Sequence, residues 1–209
     1  MTIDELRARW HDAWGKVAAI GTGEEIFASL ITRYAEPHRA YHNIDHIRDC
    51  LRWVDQVCQE VDRVGETELA IWFHDAIYEP RRSDNEEQSA QWAERSLDAA
   101  GATADRVEHI GQLIRLTTHK SPRLFGDAAI LCDIDLAILG AETSQFDAYD
   151  AAIRVEYGWV PEDTFRRGRG EILSGFLARP RIYHSRFFYD LLEEPARANL
   201  QRTLARYST

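Results

Sequence analysis

Apolar side chains recur at helical spacing from one end of the chain to the other, and this regularity constrains the fold more than any other feature. In the segment that begins at Asn43, a good N-cap residue, apolar residues follow one another at alternating intervals of three and four. No segment shows the alternation of a half-buried strand, and no Asn-Gly or Asp-Gly pair marks a hairpin. The pattern therefore predicts an all-α protein.

We expect nine or ten helices joined by short loops, in one domain that spans residues 1–209. The predicted helices cover residues 3–20, 24–35, 43–61, 66–76, 84–101, 104–118, 127–139, 144–157, 162–178 and 187–206. Two of them, 66–76 and 127–139, are apolar in almost every direction, which is typical of helices in the middle of a bundle. Asp84 and Glu87 have the spacing of a capping box.

The acidic composition limits the partners of the protein. The chain has 25 Lys and Arg residues against 35 Asp and Glu residues, a net charge of −10, and its basic residues are not clustered. We therefore expect neither a nucleic-acid polymer nor a membrane as a partner. No stretch approaches the about 18–20 apolar residues of a membrane span. We expect no secretory signal, because the first residues, MTIDELRARW, include early acids and no basic-then-apolar segment. Cys50, Cys58 and Cys132 are odd in number and widely spaced, which favours a cytoplasmic protein without disulfides.

Carboxylates interrupt both of the apolar helices. His74 and Asp75 end the first, and Asp133 and Asp135 lie inside the second. A buried carboxylate without a partner is costly, so each needs a compensating group. An ion pair within the core would serve a single aspartate. Carboxylates on two buried helices, however, repel one another unless a cation lies between them, and a divalent metal would meet that need.

Three further histidines are candidates for the same site. His42 and His46 flank the start of the third helix, where they could supply a substrate contact and a ligand, or serve as surface and capping residues. His119 follows the predicted helix 104–118. It could contact the substrate, or it could be an ordinary cation at a helix C-terminus. Asp133 and Asp135 are about 200° apart around a helix, so they face different sides.

The order of these segments resembles the H…HD…D signature of the HD-domain metal-dependent phosphohydrolase superfamily, and one bacterial branch of it in particular. The segments that carry the resemblance are YHNIDHI, ELAIWFHDAIYEP, DNEEQSA and DIDLAILGA, within about residues 40–140. The resemblance implies a single compact HD-type bundle in which His46, His74, Asp75 and a distant aspartate hold a metal. The surroundings of Asp135 fit the family pattern better than those of Asp133. Asp133 is then an alternative ligand, or a group that orients one of the histidines.

The activity implied is hydrolysis of a small phosphate ester, with nucleotides as the family's common substrates, by a water molecule that the metal activates. One divalent ion is expected, of Mn, Mg, Co, Ni, Fe or Zn. The candidate catalytic residues are Asp75, Glu87 (or its neighbour Glu86) and His119. The candidate substrate-binding residues are His42, Arg81, Arg82, Arg115 and Lys120.

Each of these assignments has an alternative. Glu87 could be a capping residue, and each cation a solvated surface side chain. The protein could be a metal-stabilised helical module that binds a nucleotide or a partner protein without turnover. A di-iron oxygenase of the HD fold is a further alternative, although it needs more ligands than the sequence offers.

Overall fold

The computed structural model describes residues 1–17 and 20–207, and it confirms the prediction of an all-α fold. These residues form ten α-helices and no strand. The helices are α1 (Ile3–Lys16), α2 (Glu24–Tyr34), α3 (Ile44–Val57), α4 (Val64–Phe73), α5 (Asn85–Ala99), α6 (Ala104–Leu116), α7 (Gly126–Asp135), α8 (Thr143–Glu156), α9 (Glu162–Leu177) and α10 (Arg186–Tyr207). Two 3₁₀ segments, Cys58–Glu60 and Leu136–Gly140, continue α3 and α7.

The helix beginnings test the predicted caps. Asn43 caps α3 as predicted, because its side chain accepts the backbone N–H two residues later at 2.8 Å. The capping box predicted for Asp84 and Glu87 is wrong, since no side-chain bond caps α5. The Asp84 carboxylate instead accepts two bonds from the Arg82 guanidinium, at 2.7 and 2.9 Å. The charge of this arginine competes successfully with the backbone N–H groups for the carboxylate.

Several of the predicted helices end earlier than the apolar pattern suggests. The first ends at Lys16, and residues 18 and 19 lie outside the described part of the chain. The pattern 127–139 is α-helical as far as Asp135 and then winds more tightly as a 3₁₀ segment. Leu136, Ala137 and Leu139 stay buried in this segment, so burial alone does not distinguish the two kinds of helix in the sequence.

Helix α4 lies at the centre of the bundle, as its apolar sequence predicts. Every residue from Gly65 to Phe73 is buried, and the helix packs against α1, α3, α5, α6 and α7. Trp72 meets the rings of Trp10 and Phe27 edge-on, with centroids 5.8 and 5.7 Å apart. Burial of this helix carries the His-Asp pair that follows it into the interior.

The described residues contain no membrane span and no disulfide. No helix among them is long and apolar enough to cross a lipid bilayer. The longest, α10, has 22 residues and contains Pro195 in its interior. The three cysteines are free, and two of them, Cys50 and Cys132, are buried.

The closest approach between the second 3₁₀ segment and α10 depends on Gly140. A β-carbon at this position would lie 2.6 Å from Cβ of Leu192 and 2.8 Å from its carbonyl oxygen. We expect Gly140→Ala to lower the free energy of unfolding by about 1–3 kcal/mol, because the backbones must separate to admit a methyl group. Urea unfolding monitored by circular dichroism measures this change.

Gly175→Ala in α9 is the matched control. Nothing lies within 4 Å of a β-carbon at Gly175, and alanine is the better residue in a helix interior. This substitution should raise the free energy of unfolding by about 0.5–1 kcal/mol. If both variants are stabilised, the contact at Gly140 is not as tight as described here.

Candidate metal centre

Four side chains that the resemblance names as ligands meet at one point in the bundle. The Nε2 atoms of His46 and His74 lie 3.2 Å apart. Asp75 Oδ2 lies 3.0 Å from His74 Nε2 and 3.7 Å from His46 Nε2. Asp135 Oδ1 lies 3.2 Å from His46 Nε2 and 3.5 Å from His74 Nε2. The first three residues each offer a ligand atom within 4.8 Å of the others. We call these four residues the His–Asp cluster.

The members of the His–Asp cluster come from three helices. His46 lies on the buried face of α3, His74 and Asp75 directly follow α4, and Asp135 is the last residue of α7. The imidazoles are almost fully buried, whereas the side chains of Asp75 and Asp135 are 16% and 18% exposed. A small molecule can therefore approach the cluster from the carboxylate side.

Asp133 lies on the other side of α7 and does not contact the histidines of the cluster. Its two oxygens accept the backbone N–H groups of His184 and Ser185, each at 2.7 Å. Burial outweighs these bonds and raises the pKa of Asp133 to about 6. The expectation that Asp133 orients a histidine of the cluster is therefore wrong, because its oxygens are already engaged. Of the two candidates for the last ligand, Asp135 is the one that meets the histidines.

Glu156, the last residue of α8, holds the segment that leads into α3. Its Oε1 accepts the backbone N–H groups of Ala40, Tyr41 and His42 at 2.7–3.0 Å. Its Oε2 accepts the His42 ring N–H and the Tyr78 hydroxyl, both at 2.7 Å. Burial raises the pKa of a carboxyl group, but the bonds and the charge of His42 outweigh it and hold the pKa of Glu156 at about 2.

Arg39 joins this segment to the one that follows α4. Its guanidinium donates to the backbone carbonyls of His42, Asp75 and Ala76 at 2.6–3.1 Å. The planar fork of five N–H donors allows one arginine to bind carbonyls from separate segments. Sequence reasoning missed both Arg39 and Glu156, since their partners lie up to 116 residues away along the chain and no local pattern marks them.

The protons of His74 determine what the cluster can bind. Its Nδ1–H donates to the carbonyl of Ile71 at 2.8 Å, so in the neutral ring Nε2 carries a lone pair that faces the rest of the cluster. Burial lowers the pKa of His74, but the charges of Asp75 and Asp135 outweigh it and raise that pKa well above its ordinary value. The two carboxylates therefore stabilise a positive charge between them, which can be either a proton on His74 or a metal cation.

His119 adjoins the cluster through Asp135. Its Nε2 lies 2.8 Å from Asp135 Oδ2, and its ring lies 6.1 Å from that of Phe176. The backbone of His119 is in the left-handed region, with φ of 53°, where the chain turns after α6. Its Nδ1 is buried and has no hydrogen-bond partner. Among the predicted catalytic residues outside the cluster, His119 is the one that contacts it.

Glu87 is instead part of an ion pair on the α5–α6 face. Arg115 donates two bonds to its carboxylate, at 2.7 and 3.0 Å, and also pairs with Glu94. The bonds from Arg115 and Gln91 lower the pKa of Glu87 to about 2. A general acid must hold its proton near neutral pH, so the predicted role of Glu87 does not fit this arrangement. Arg115, which was expected to bind substrate, is likewise neutralised.

The other predicted cations also lie apart from the cluster. Arg82 pairs with Asp84 at 2.7 Å. The Arg81 guanidinium lies 4.7 Å from the ring centroid of Trp159. Lys120 is exposed. Within the described part of the chain, none of the three forms a hydrogen bond or an ion pair with the cluster.

Two cavities lie beside the cluster. The larger has a volume of about 610 Å³ and reaches the cluster at His46 and Asp135. Alanines and aromatic rings form most of its other walls. The smaller has a volume of about 390 Å³ and is lined by His42 and several aromatic rings, but by no member of the cluster. Tyr149 borders both cavities. The larger cavity thus offers a ligand direct access to two members of the cluster.

We expect Glu156→Gln to lower the free energy of unfolding by about 3 kcal/mol, because an amide cannot accept hydrogen bonds at both of its ends. Urea unfolding at neutral pH measures the loss. A pKa held below its unfolded value stabilises the fold above about pH 4.5, and this stabilisation is lost as the pH falls toward 2. The difference between wild type and variant should shrink in that range.

Glu171→Gln is the control for this prediction. Glu171 is exposed on α9, so its substitution should change the free energy of unfolding by no more than about 0.5 kcal/mol. Equal and small effects at both positions would contradict the role assigned to Glu156.

Comparisons of the chain with models of known protein families, with curated proteins and with solved structures give no match. The likeness to the HD-domain superfamily therefore rests on the order of the motif segments.

Proposed function

We propose that the protein is a hydrolase that uses one divalent metal ion to cleave a small phosphate ester. The observation that carries the proposal is a pair of imidazole nitrogens, of His46 and His74, that lie 3.2 Å apart between two carboxylates. A proton shared by the two rings offsets one negative charge. A divalent ion among the four donors offsets both carboxylates and removes the repulsion between them.

The chemistry of the donors fits such an ion. Two imidazole nitrogens and two carboxylates suit Mn, Fe, Co, Ni or Zn, and the oxygens suit Mg. The bond from His74 Nδ1–H to a backbone carbonyl, at 2.8 Å, is the outer contact that fixes the tautomer of a ligating histidine. Asp75 and Asp135 border solvent, which leaves a side from which the substrate can approach.

A bound divalent ion would supply a more acidic water and a polarised phosphoryl group. The residues of the chain would then move the protons. Asp75 is our candidate to accept a proton from the attacking water. His119, whose Nε2 is held 2.8 Å from Asp135, is our candidate to donate a proton to the departing oxygen. His119 takes this role in place of Glu87, which Arg115 keeps ionised.

The cavity beside the cluster supports a small substrate. Its volume of about 610 Å³ lies in the range of small-molecule sites, about 300–1,000 Å³. Arg52, on its wall, is paired with Asp49 at 2.6 Å. With a net charge of −10, the chain is better suited to one phosphorylated small molecule than to a polymer of phosphates.

We expect the wild-type protein to bind one divalent ion per chain and to hydrolyse p-nitrophenyl phosphate when the metal is supplied. His74→Ala should abolish both, because it removes a nitrogen that faces both carboxylates. Elemental analysis and a colorimetric assay measure these outcomes. A protein that holds the metal but hydrolyses no phosphate ester would instead be a binding module.

The two aspartates of α7 provide a matched pair of variants. Asp135→Asn should empty the site and abolish hydrolysis. Asp133→Asn should retain the ion, because Asp133 does not contact the histidines. Its loss of metal affinity should be smaller than the about 10–100-fold that is typical when a residue supporting a ligand is removed. It should instead lower the free energy of unfolding, since two buried N–H groups lose a charged acceptor. Calorimetric titration with Mn²⁺ or Zn²⁺ decides the matter. Retention of metal by Asp135→Asn would contradict the assigned ligand set.

A further inference from the structure

A half-buried arginine beside His119 has no acidic partner. Arg179 follows α9, and its guanidinium donates to the backbone carbonyl of His119. It also lies 4.4 Å from the ring centroid of Phe176, which contacts the His119 ring as well. The arginine is therefore attached to the residue that contacts Asp135 of the His–Asp cluster.

The second terminal nitrogen of this guanidinium has no acceptor. Nη1 of Arg179 is buried without a hydrogen-bond partner, and the described residues give the guanidinium no carboxylate within ion-pair distance. Other buried or half-buried arginines of this acidic protein, such as Arg39, Arg115 and Arg169, each bind a carboxylate. An uncompensated guanidinium with a buried, unpaired N–H is costly unless an anion joins it.

His184 lies in the same connecting segment as Arg179, between α9 and α10, and supplies a second donor. Its Nδ1 accepts the backbone N–H of Leu124 at 3.2 Å, so its ring proton is on Nε2. No described residue accepts that proton. Burial and the charges of Arg179 and His119 lower the pKa of His184, which keeps the ring neutral at neutral pH. The nearby carboxylate of Asp133 is already occupied, because its oxygens accept the backbone N–H groups of His184 and Ser185.

We propose that Arg179 and His184 form a subsite that binds the phosphoryl oxygens of the substrate beside His119. A planar guanidinium with a neighbouring N–H donor matches two oxygens of one phosphoryl group. The identity of the anion rests on the proposed function. Two carboxylates in the cluster offset a divalent ion, so the negative charge of the substrate needs other cations. Arg82 and Arg115, which the sequence suggested, are already paired.

Calorimetric titration with inorganic phosphate tests the subsite in the metal-free and the metal-loaded protein. Arg179→Met should weaken phosphate binding roughly 10–100-fold, as expected for loss of charge-assisted hydrogen bonds. Arg179→Lys, which keeps the charge but not the fork, should fall between wild type and Arg179→Met. Arg167→Met, at an exposed arginine of α9, changes the net charge equally and should leave phosphate binding unchanged. The metal content should be the same in all of these variants.

A second measurement on the wild-type protein does not depend on the folding of any variant. Phosphate should slow the modification of Arg179 by phenylglyoxal, and leave that of Arg167 unaffected, when the modified peptides are quantified by mass spectrometry. The inference is overturned if wild type binds no phosphate, if a folded Arg179→Met binds it as tightly as wild type, or if phosphate does not protect Arg179.

The outcomes also separate this inference from the proposed hydrolase. If the protein takes up no divalent ion and cleaves no ester, yet Arg179→Met loses phosphate, the subsite stands and the hydrolase proposal fails. If hydrolysis occurs and Arg179→Met retains wild-type phosphate affinity and KM, the hydrolase stands and the subsite fails.

Discussion

The guanidinium of Arg39 and the carboxylate of Glu156 hold in place the two segments that carry the candidate metal centre. The chain between Arg39 and Asn43 has no regular structure, so its buried polar backbone groups need partners from elsewhere. Glu156 accepts N–H groups of this segment, and Arg39 donates to carbonyls of both segments. Neither residue belongs to the His–Asp cluster, yet together they fix where α3 begins and hence where His46 lies.

Buried charge in this protein follows two different rules. Most buried carboxylates have a basic or backbone partner of their own, as Glu68 has in Arg9 at 2.9 Å and Asp150 has in Arg169 at 3.2 Å. The His–Asp cluster differs, because two carboxylates share two imidazoles and their charge is balanced either by a proton on a histidine or by an added cation. Ion pairs of the first kind stabilise a structure without need of a ligand. The second arrangement is the one on which a proposal of function can rest.

The sequence predicts the helices well because burial of an amphipathic helix leaves a periodic signal. The central place of α4 and the convergence of His46, His74 and Asp135 were both anticipated, the first from periodicity and the second from the resemblance. The ion pair of Glu87 was not anticipated. A carboxylate near a helix start can cap the helix or bind a distant arginine, and the sequence does not distinguish these two arrangements. Arg179 was also missed, for a different reason. Its partner, the carbonyl of His119, lies 60 residues away and belongs to the backbone, which carries no sequence signal.

The burial of α4 on every side has a consequence for how the site moves. Amide protons in a helix without an exposed face exchange with solvent only when its neighbours separate, so they should report the opening of the whole bundle. His74 directly follows this helix and its N–H donates to the carbonyl of Ala70, so it should exchange as slowly. His119 and Arg179 lie in connecting segments, where opening is local and frequent. The backbone at His74 should therefore open far more rarely than the segments that carry His119 and Arg179. The buried imidazoles of the His–Asp cluster can stay fixed while the connecting segments beside them adjust.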